Sequence, residues 1–428
     1  MIEDVLKKLY EAPAKFRWAL AVAPLIESVG LGRPPCFLGP RGRLVRILVC
    51  LSQRIGCIRI FLSTVAIYEI FRIMTKRRQR ARRLPERCRI FVGMGAGGEE
   101  DMWGDFIAES EAPAIRLDET KPEVFLAYYR PSMTTLWREV WEESRDLTTF
   151  LLRSDLEPIL SFREDLITVV TIRLGRYIFY RTWWRAHVDR RIQSIIFVSS
   201  ETPASACVDA AIAPVEHWQH GLTVKGALMP PFAKIKALTS VELDWFYGLL
   251  PKTQFELVHS KVSIEYHEKL LLIVSSYDHS MLNRIDYLHN IKSLLDWANR
   301  NGIRVVVRKH PVEVSEFWES NFPTLEIDIN DGSFSEALSR LRPMFIASWY
   351  STCFVDGLTA KVLPISFMDP EEADTTVNLV YNTLNHCLIW PKHQALMSEL
   401  INSSSARIGL AERLIKSEMD SPWEVQES

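Results

Sequence analysis

Arg89-Ile-Phe-Val-Gly-Met-Gly-Ala-Gly-Gly98 is the stretch on which the fold turns. A short β-branched and aromatic run stops abruptly in glycines, and Glu99-Glu100-Asp101 follows. An apolar run of this length bounded by glycines reads as a buried strand, and acids after it suit the first turn of a helix, about 99–110. The pattern then continues. Strands are predicted at Ala114–Leu117 and Ser194–Ser199, helices over 133–157 and 163–190, and a helix opening at Pro203. A short strand precedes Glu216-His217-Trp218-Gln219-His220-Gly221, and 235–250 reads as a final αβ element.

The alternation restarts after residue 265. Leu270–Ser275, Arg304–Arg308, Leu325–Ile329, Met344–Ala347 and Val362–Ser366 read as strands, with helices over 281–300, Phe334–Leu341 and Ser351–Ala360. Strands alternating with helices predict parallel sheets covered on both faces. Two such runs predict an α/β protein of two doubly wound domains, 88–262 and 263–428, facing each other across a cleft. Ligands then belong at the carboxyl ends of the strands.

The 428 residues are 47 % apolar and 24 % charged, an ordinary globular composition that excludes a disordered chain. Seven scattered cysteines without a C-x-x-C pair point to neither a disulfide framework nor a structural zinc site. A net charge of −2 excludes a generally basic nucleic-acid binder, so no nucleic acid is expected as partner.

Residues 1–87 stand apart. They carry 18 Lys/Arg against 6 Asp/Glu, a net of +12, which leaves −14 on the other 341 residues. Glu3, Asp4, Lys7, Lys8 and Glu11 stand where a signal peptide would begin its apolar core. Leu44–Met74 is very apolar, but Arg46, Arg54, Arg59, Glu69 and Arg72 keep its uncharged runs far short of the roughly 20 residues a spanning helix needs. Two readings stay open. One is a helical hairpin packed on the catalytic body. The other is a helix lying on the inner membrane face, followed by the block Lys76–Arg83 clamped on anionic lipid. The expected location is the cytoplasm, peripheral on that membrane face.

Gly93, Gly95 and Gly98 fit G-x-G-x-x-G after a strand, and Asp118 lies 20 residues further on, the spacing of a dinucleotide fingerprint. The acids after the loop argue against it, because carboxylates at a helix amino terminus repel a pyrophosphate. They suit a loop (Gly95, Gly97, Gly98) that approaches a neutral acceptor hydroxyl, with Glu99 or Glu100 as general base. Equally, the glycines serve only a tight turn and the acids only the helix dipole.

Arg308-Lys309-His310-Pro311 ends a strand, and the proline restricts the histidine backbone to an extended conformation. A histidine between cations and proline suits a departing phosphate. Ser348, Ser351 and Thr352 follow another strand and open a helix, as an anion seat or simply as caps, with Asp356 one turn on as a partner for a ribose. Glu216, His217 and His220 make weak metal evidence, and Asp328-Ile329-Asn330-Asp331 is no strict Asp-x-Asp pair. Neither a metal nor a cofactor is expected.

In this order the motifs resemble the GT-B glycosyltransferases of bacterial surface polysaccharides, over about residues 88–370. The elements are a Gly-rich loop, Gln219-His220-Gly221, Lys309-His310-Pro311, and Ser348-x-x-Ser351-Thr352 with an acid four residues on. The nearest analogies are the sialyl-, polysialyl- and Kdo-transferases, which use CMP-sugars; teichoic-acid glycerophosphate polymerases share the His-Gly and His-Pro pair. The chain departs at Val362, where those families commonly have glycine. The resemblance implies that His310, Ser351 and Thr352 contact the donor phosphate, with Arg308 and Lys309 beside it. It implies a first-domain base: Glu99 or Glu100, or His220 on the polymerase analogy. The partners are then a nucleotide-sugar donor, CMP-sugar favoured, and a glycan or lipid-linked glycan acceptor, in a metal-independent, inverting transfer. A CDP-polyol phosphotransferase on the same architecture is the alternative, as is a membrane- or partner-binding protein with an inactive fold.

Overall fold

The computed structural model describes residues 39–419 except 55, 77–81, 96–98, 152–162, 188–191, 200–201, 220–228, 239–249, 251, 259–261, 263, 276–284, 311–312, 314–315, 330–331, 349–350, 352 and 368–386. Two six-stranded sheets organise it. The first contains β1 (Arg89–Gly93), β2 (Ala114–Asp118), β3 (Ser194–Phe197), β4 (Val215–Trp218), β5 (Lys234–Ala237) and β6 (Gln254–Leu257), in the order β2-β1-β3-β4-β5-β6. The second contains β7 (Leu270–Val274), β8 (Arg304–Arg308), β9 (Glu326–Asp328), β10 (Phe345–Ser348), β11 (Leu363–Ser366) and β12 (Leu388–Ile389), in the order β12-β11-β10-β7-β8-β9. Every neighbouring pair is parallel. This is the doubly wound α/β architecture that the strand–helix alternation predicts.

Strand order reverses between β1 and β3 in the first sheet and between β7 and β10 in the second. Such switch points open a crevice beyond the carboxyl ends of the strands, because the flanking connections leave toward opposite faces. Buried strands such as Leu-Leu-Leu-Ile-Val in β7 read as continuous apolar runs because both faces are covered.

The helices are α1 (Gly39–Arg54), α2 (Ile58–Met74), α3 (Glu99–Ala108), α4 (Pro122–Leu126), α5 (Met133–Leu151), α6 (Arg163–Arg185), α7 (Thr202–Ala210), α8 (Ile285–Arg300), α9 (Phe317–Asn321), α10 (Phe334–Leu341), α11 (Cys353–Thr359), α12 (Gln394–Leu400) and α13 (Ser404–Met419). The limits of α10 are the ones predicted. Ser333 and Glu336 close a capping box at its start, and Arg342 at φ 47° ends it in a left-handed cap. Elsewhere the ends differ. α6 ends at Arg185 with a turn after it, whereas the predicted 152–157 of α5 and most of the αβ element after β5 (239–249) lie outside the described residues, and β6 follows. The short elements β12, α4 and α9 have no sequence signal, since two to five residues cannot show a period.

α6 is the central helix of the first domain. Tyr177, Tyr180, Trp183 and Trp184 are wholly buried. Two of their polar tips find backbone partners: Tyr180 Oη donates to the Glu119 carbonyl at 2.8 Å and Trp183 Nε1 to the Phe125 carbonyl at 2.8 Å. α1, α2 and α5 pack against α6, while α7 also lies on it. A Cβ on Gly175 would stand 2.5 Å from the Ala66 carbonyl oxygen, so α2 and α6 approach as closely as glycine allows. Val45, Val49, Ile58, Leu62, Ala66 and Ile70 accordingly belong to the same core as β1 and β3. Among the described residues no helix is long and apolar enough to cross a membrane.

Candidate functional site at the carboxyl edges of the sheets

The second sheet changes polarity within one rung. The register aligns Leu388, Ile365, Ala347, Ile273, Val307 and Ile327 across all six strands, an uninterrupted apolar row. One residue later toward the carboxyl ends, Ser366 pairs with Ser348, and Val274 with Arg308, which pairs with Asp328. Ser348 and Ser366 are buried. Ser275, just beyond β7, is buried too and accepts from Trp318 Nε1 at 3.0 Å. Hydroxyls and charges therefore collect at the edge where the switch point opens, and nowhere in the rung beneath.

Arg308 does not point freely into that crevice. Its Nη1 donates to Asp328 Oδ2 at 2.8 Å, and its Nη2 donates to the Gly332 carbonyl. Arg340 grips both oxygens of the same carboxylate at 2.8 Å. The register explains this: Arg308 and Asp328 are directly opposed cross-strand neighbours, and a buried carboxylate needs such partners. Lys309 pairs with Glu319. The sequence reading aims both cations at a donor phosphate; in the structure both are engaged by the chain's own acids. They hold the edge in shape.

His310 lies two residues past β8 and is exposed, while its carbonyl accepts from the Glu313 N–H at 2.8 Å. Partial burial of the ring lowers its pKa below 6.5, with the Glu313 carboxylate acting in the opposite direction. The imidazole at neutral pH is thus a hydrogen-bond donor and acceptor without a fixed charge.

On the other side of the switch, Ser351 Oγ accepts from the Cys353 N–H at 3.2 Å, the capping contact expected at the start of α11. A Cβ on Gly357 would stand 2.4 Å from Ile346 Cδ1, so α11 lies close on β10 and carries Ser351 to the strand end. Burial pushes the Cys353 thiol up to about 12, and the Asp356 charge adds to the rise; Ser351 and Arg308 act against it. A thiol so held is no nucleophile at neutral pH. Thr352 lies outside the described residues.

The first sheet is built differently. Gly95 has φ +71°, and a Cβ there would stand 3.0 Å from Asp118 Oδ2. A Cβ on Gly93 would stand 2.2 Å from Glu99 Oε2. Glu99 is wholly buried and accepts from the Met94 N–H at 2.7 Å and the Gly95 N–H at 3.2 Å, with Arg116 Nη2 at 3.6 Å. The Met94 and Gly95 N–H groups, which a dinucleotide fold would turn toward a pyrophosphate, are filled by the chain's own carboxylate. Glu99 is therefore a brace for the loop, inaccessible to an acceptor hydroxyl. Glu100 is exposed and pairs with Arg116 Nη1 at 2.6 Å. Burial pulls the Asp118 carboxyl up, but hydrogen bonds from Lys121 and Thr120 outweigh it and hold it below the usual carboxylate range. Gly97, Gly98 and His220 lie outside the described residues.

Two residues that the sequence reading passed over meet at this edge. Ser199 Oγ, after β3, donates to Glu119 Oε1 at 2.6 Å, after β2, and the Glu119 N–H donates to the Gly93 carbonyl at 2.9 Å. A buried carboxylate thus lies over the end of β1, beside the switch point. No motif announces it; its only signal is position two residues past a predicted strand end. His217 belongs to the core: Nδ1 lies 3.1 Å from the Phe197 carbonyl and the ring stacks on Phe232 at 5.2 Å.

No protein-family model matches the sequence, and no curated protein matches it. Solved structures are similar in architecture. UDP-GlcNAc 2-epimerase from Methanocaldococcus jannaschii is 10 % identical at a TM-score of 0.42, covering 78 % of this chain and 99 % of that one. S. aureus MnaA bound to UDP is 10 % identical at 0.44, covering 76 % and 91 %. The wall teichoic acid polymerase TagF is 9 % identical at 0.41, covering 88 % and 92 %. Similarity at this level concerns the course of the chain and says nothing about what this protein binds.

Proposed function

We propose that the chain is a GT-B-type glycosyltransferase that moves a sugar from a nucleotide-sugar, a CMP-sugar in the first instance, to a hydroxyl of a glycan or lipid-linked glycan of a surface polysaccharide. The observation that carries this reading is the polar final rung of the second sheet at its switch point, set against a first-sheet loop whose anion-binding groups are already filled. The donor's nucleotide and phosphate belong to the second domain and the neutral acceptor to the first, with the two edges facing one cleft.

In the transfer, the anomeric carbon–phosphate oxygen bond breaks as the acceptor oxygen bonds to that carbon from the opposite face. The acceptor proton passes to a first-domain base. The nucleotide leaves as an anion that accepts hydrogen bonds from the His310 N–H and the hydroxyls of Ser351 and Thr352. With Glu99 serving as brace, the base is Glu119 over the switch point, Glu100 at the loop, or His220 after β4. The +12 segment holds the enzyme at an anionic lipid surface where such acceptors reside.

The test is hydrolysis and transfer by the purified full chain across CMP-, CDP-, UDP- and GDP-linked donors, with Glu119→Gln, Glu100→Gln and His220→Ala alongside. One donor class turned over, and one of the three variants dead but still binding it, is the expected result. Turnover of a CDP-polyol with transfer of its phosphate would move the protein to the phosphotransferases. No binding of any nucleotide would end the enzymatic reading.

A further inference from the structure

α1 has two apolar stripes. Val45 and Val49 face the body and are buried. Leu44, Ile47, Leu48 and Leu51, at i, i+3, i+4 and i+7, lie on the other side and are exposed, Leu44 and Ile47 by 57 % each. Beside it, α2 exposes more than half of Ile60, Tyr68 and Phe71. α5 exposes Trp137 and Trp141, one turn apart. Arg59 of α2 lies 4.1 Å over the Trp141 ring and donates to the Trp141 carbonyl at 3.3 Å, which ties the outer faces of α2 and α5 together. All three helices cover α6, so these side chains belong to one outer layer. Single exposed apolar residues are ordinary; rows of them on three neighbouring helices mark a surface that is covered in use.

Charge selects the cover. The sequence of α1, Gly-Pro-Arg-Gly-Arg-Leu-Val-Arg-Ile-Leu-Val-Cys-Leu-Ser-Gln-Arg, has four arginines and no acid. A cationic helix with an exposed apolar stripe is the pattern of a helix lying in a lipid interface, and Trp and Tyr rings suit the headgroup level. We propose that the outer faces of α1, α2 and α5 form a platform that inserts into the headgroup region of an anionic bilayer. This rests on the anionic-surface attachment proposed above and adds an apolar, salt-resistant component that a basic block alone lacks, because ionic attraction is screened by salt.

The experiment is co-sedimentation of the full chain with phosphatidylglycerol-containing and pure phosphatidylcholine vesicles, at low and high salt. The variants are Leu44→Ser with Ile47→Ser, Trp137→Phe, and Arg77, Arg78, Arg80, Arg82 and Arg83 changed to Gln. Wild type should keep binding anionic vesicles at high salt, and the double serine variant should lose that binding by about tenfold or more, with an unchanged melting temperature. The arginine variant should lose mainly the low-salt component. Trp137→Phe should still bind, while quenching of tryptophan emission by brominated lipid falls. Binding abolished by salt in wild type and equal in the serine variant overturns the platform and leaves the electrostatic attachment standing. No vesicle binding under any condition ends both. Self-association of wild type that the serine variant abolishes, without vesicle binding, makes the face a contact between copies and also overturns the proposal. Nucleotide binding measured on the same samples keeps the catalytic reading separate.

Discussion

The two sheets share strand number, strand direction and a switch point, yet their carboxyl edges are prepared for opposite partners. At the first edge Glu99, Asp118 and Glu119 crowd a glycine loop, and Glu99 occupies the N–H groups of Met94 and Gly95. At the second, serines line the switch point, arginines bracket the buried Asp328 carboxylate, and Glu313 is buried beside His310. The same backbone geometry thus carries a carboxylate-filled loop in one domain and a serine-lined edge in the other. Fold supplies the crevice, and side chains one residue past the strands decide what enters it.

Breaking the second edge should cost most. Arg308→Ala leaves the Asp328 carboxylate buried with Arg340 alone, and chemical denaturation should show a loss of about 3 kcal/mol. A loss below about 0.5 kcal/mol would mean that the pair is solvated in solution. His310→Ala should fold normally and lower donor turnover by roughly 100-fold. Unchanged turnover would remove His310 from the chemistry.

Breaking the Glu99 brace of the first edge should act on stability alone. Glu99→Gln weakens two hydrogen bonds to a buried anion, and Gly93→Ala pushes the same carboxylate aside; each should cost about 1–2 kcal/mol. If Glu99→Gln instead abolishes transfer with the melting curve intact, Glu99 is the base and the contrast between the edges fails.

The smallest effect is a pH dependence. The His310 ring has a folded-state pKa below the ordinary 6.5 because burial disfavours its charged form. Folding therefore keeps its full contribution above pH 6.5 and loses it as pH falls through the folded value. Burial lowers His267 in the same direction, with Arg407 adding to it and the Ala360 backbone opposing it. Denaturation curves of His310→Gln against wild type should converge toward low pH. A constant offset at every pH would show that the histidine keeps its ordinary value.

Much of this was legible in the chain. Apolar runs of four or five residues bounded by Gly, Pro or charge located ten of the twelve strands, because burial on both faces leaves a strong signal. Ser351 at the start of α11 and His310 just past β8 stand where their motifs put them. The roles of Arg308 and Glu99 were not legible, since each depends on a partner brought close only by register or by a turn.

By itself, then, the sequence determined two doubly wound domains, the loops that carry chemistry, and the basic character of the first 87 residues, all of them consequences of local pattern. Tertiary structure alone decided which charges remain for a ligand. Pairing Arg308 with Asp328 required β8 and β9 to lie side by side in register. Filling the glycine loop required Glu99 to fold back across β1. Setting Trp141 beside Arg59 required α2 and α5 to share α6 as a floor. Each is a contact between residues distant in the chain or turned back by a loop, and periodicity carries no information about distance in space.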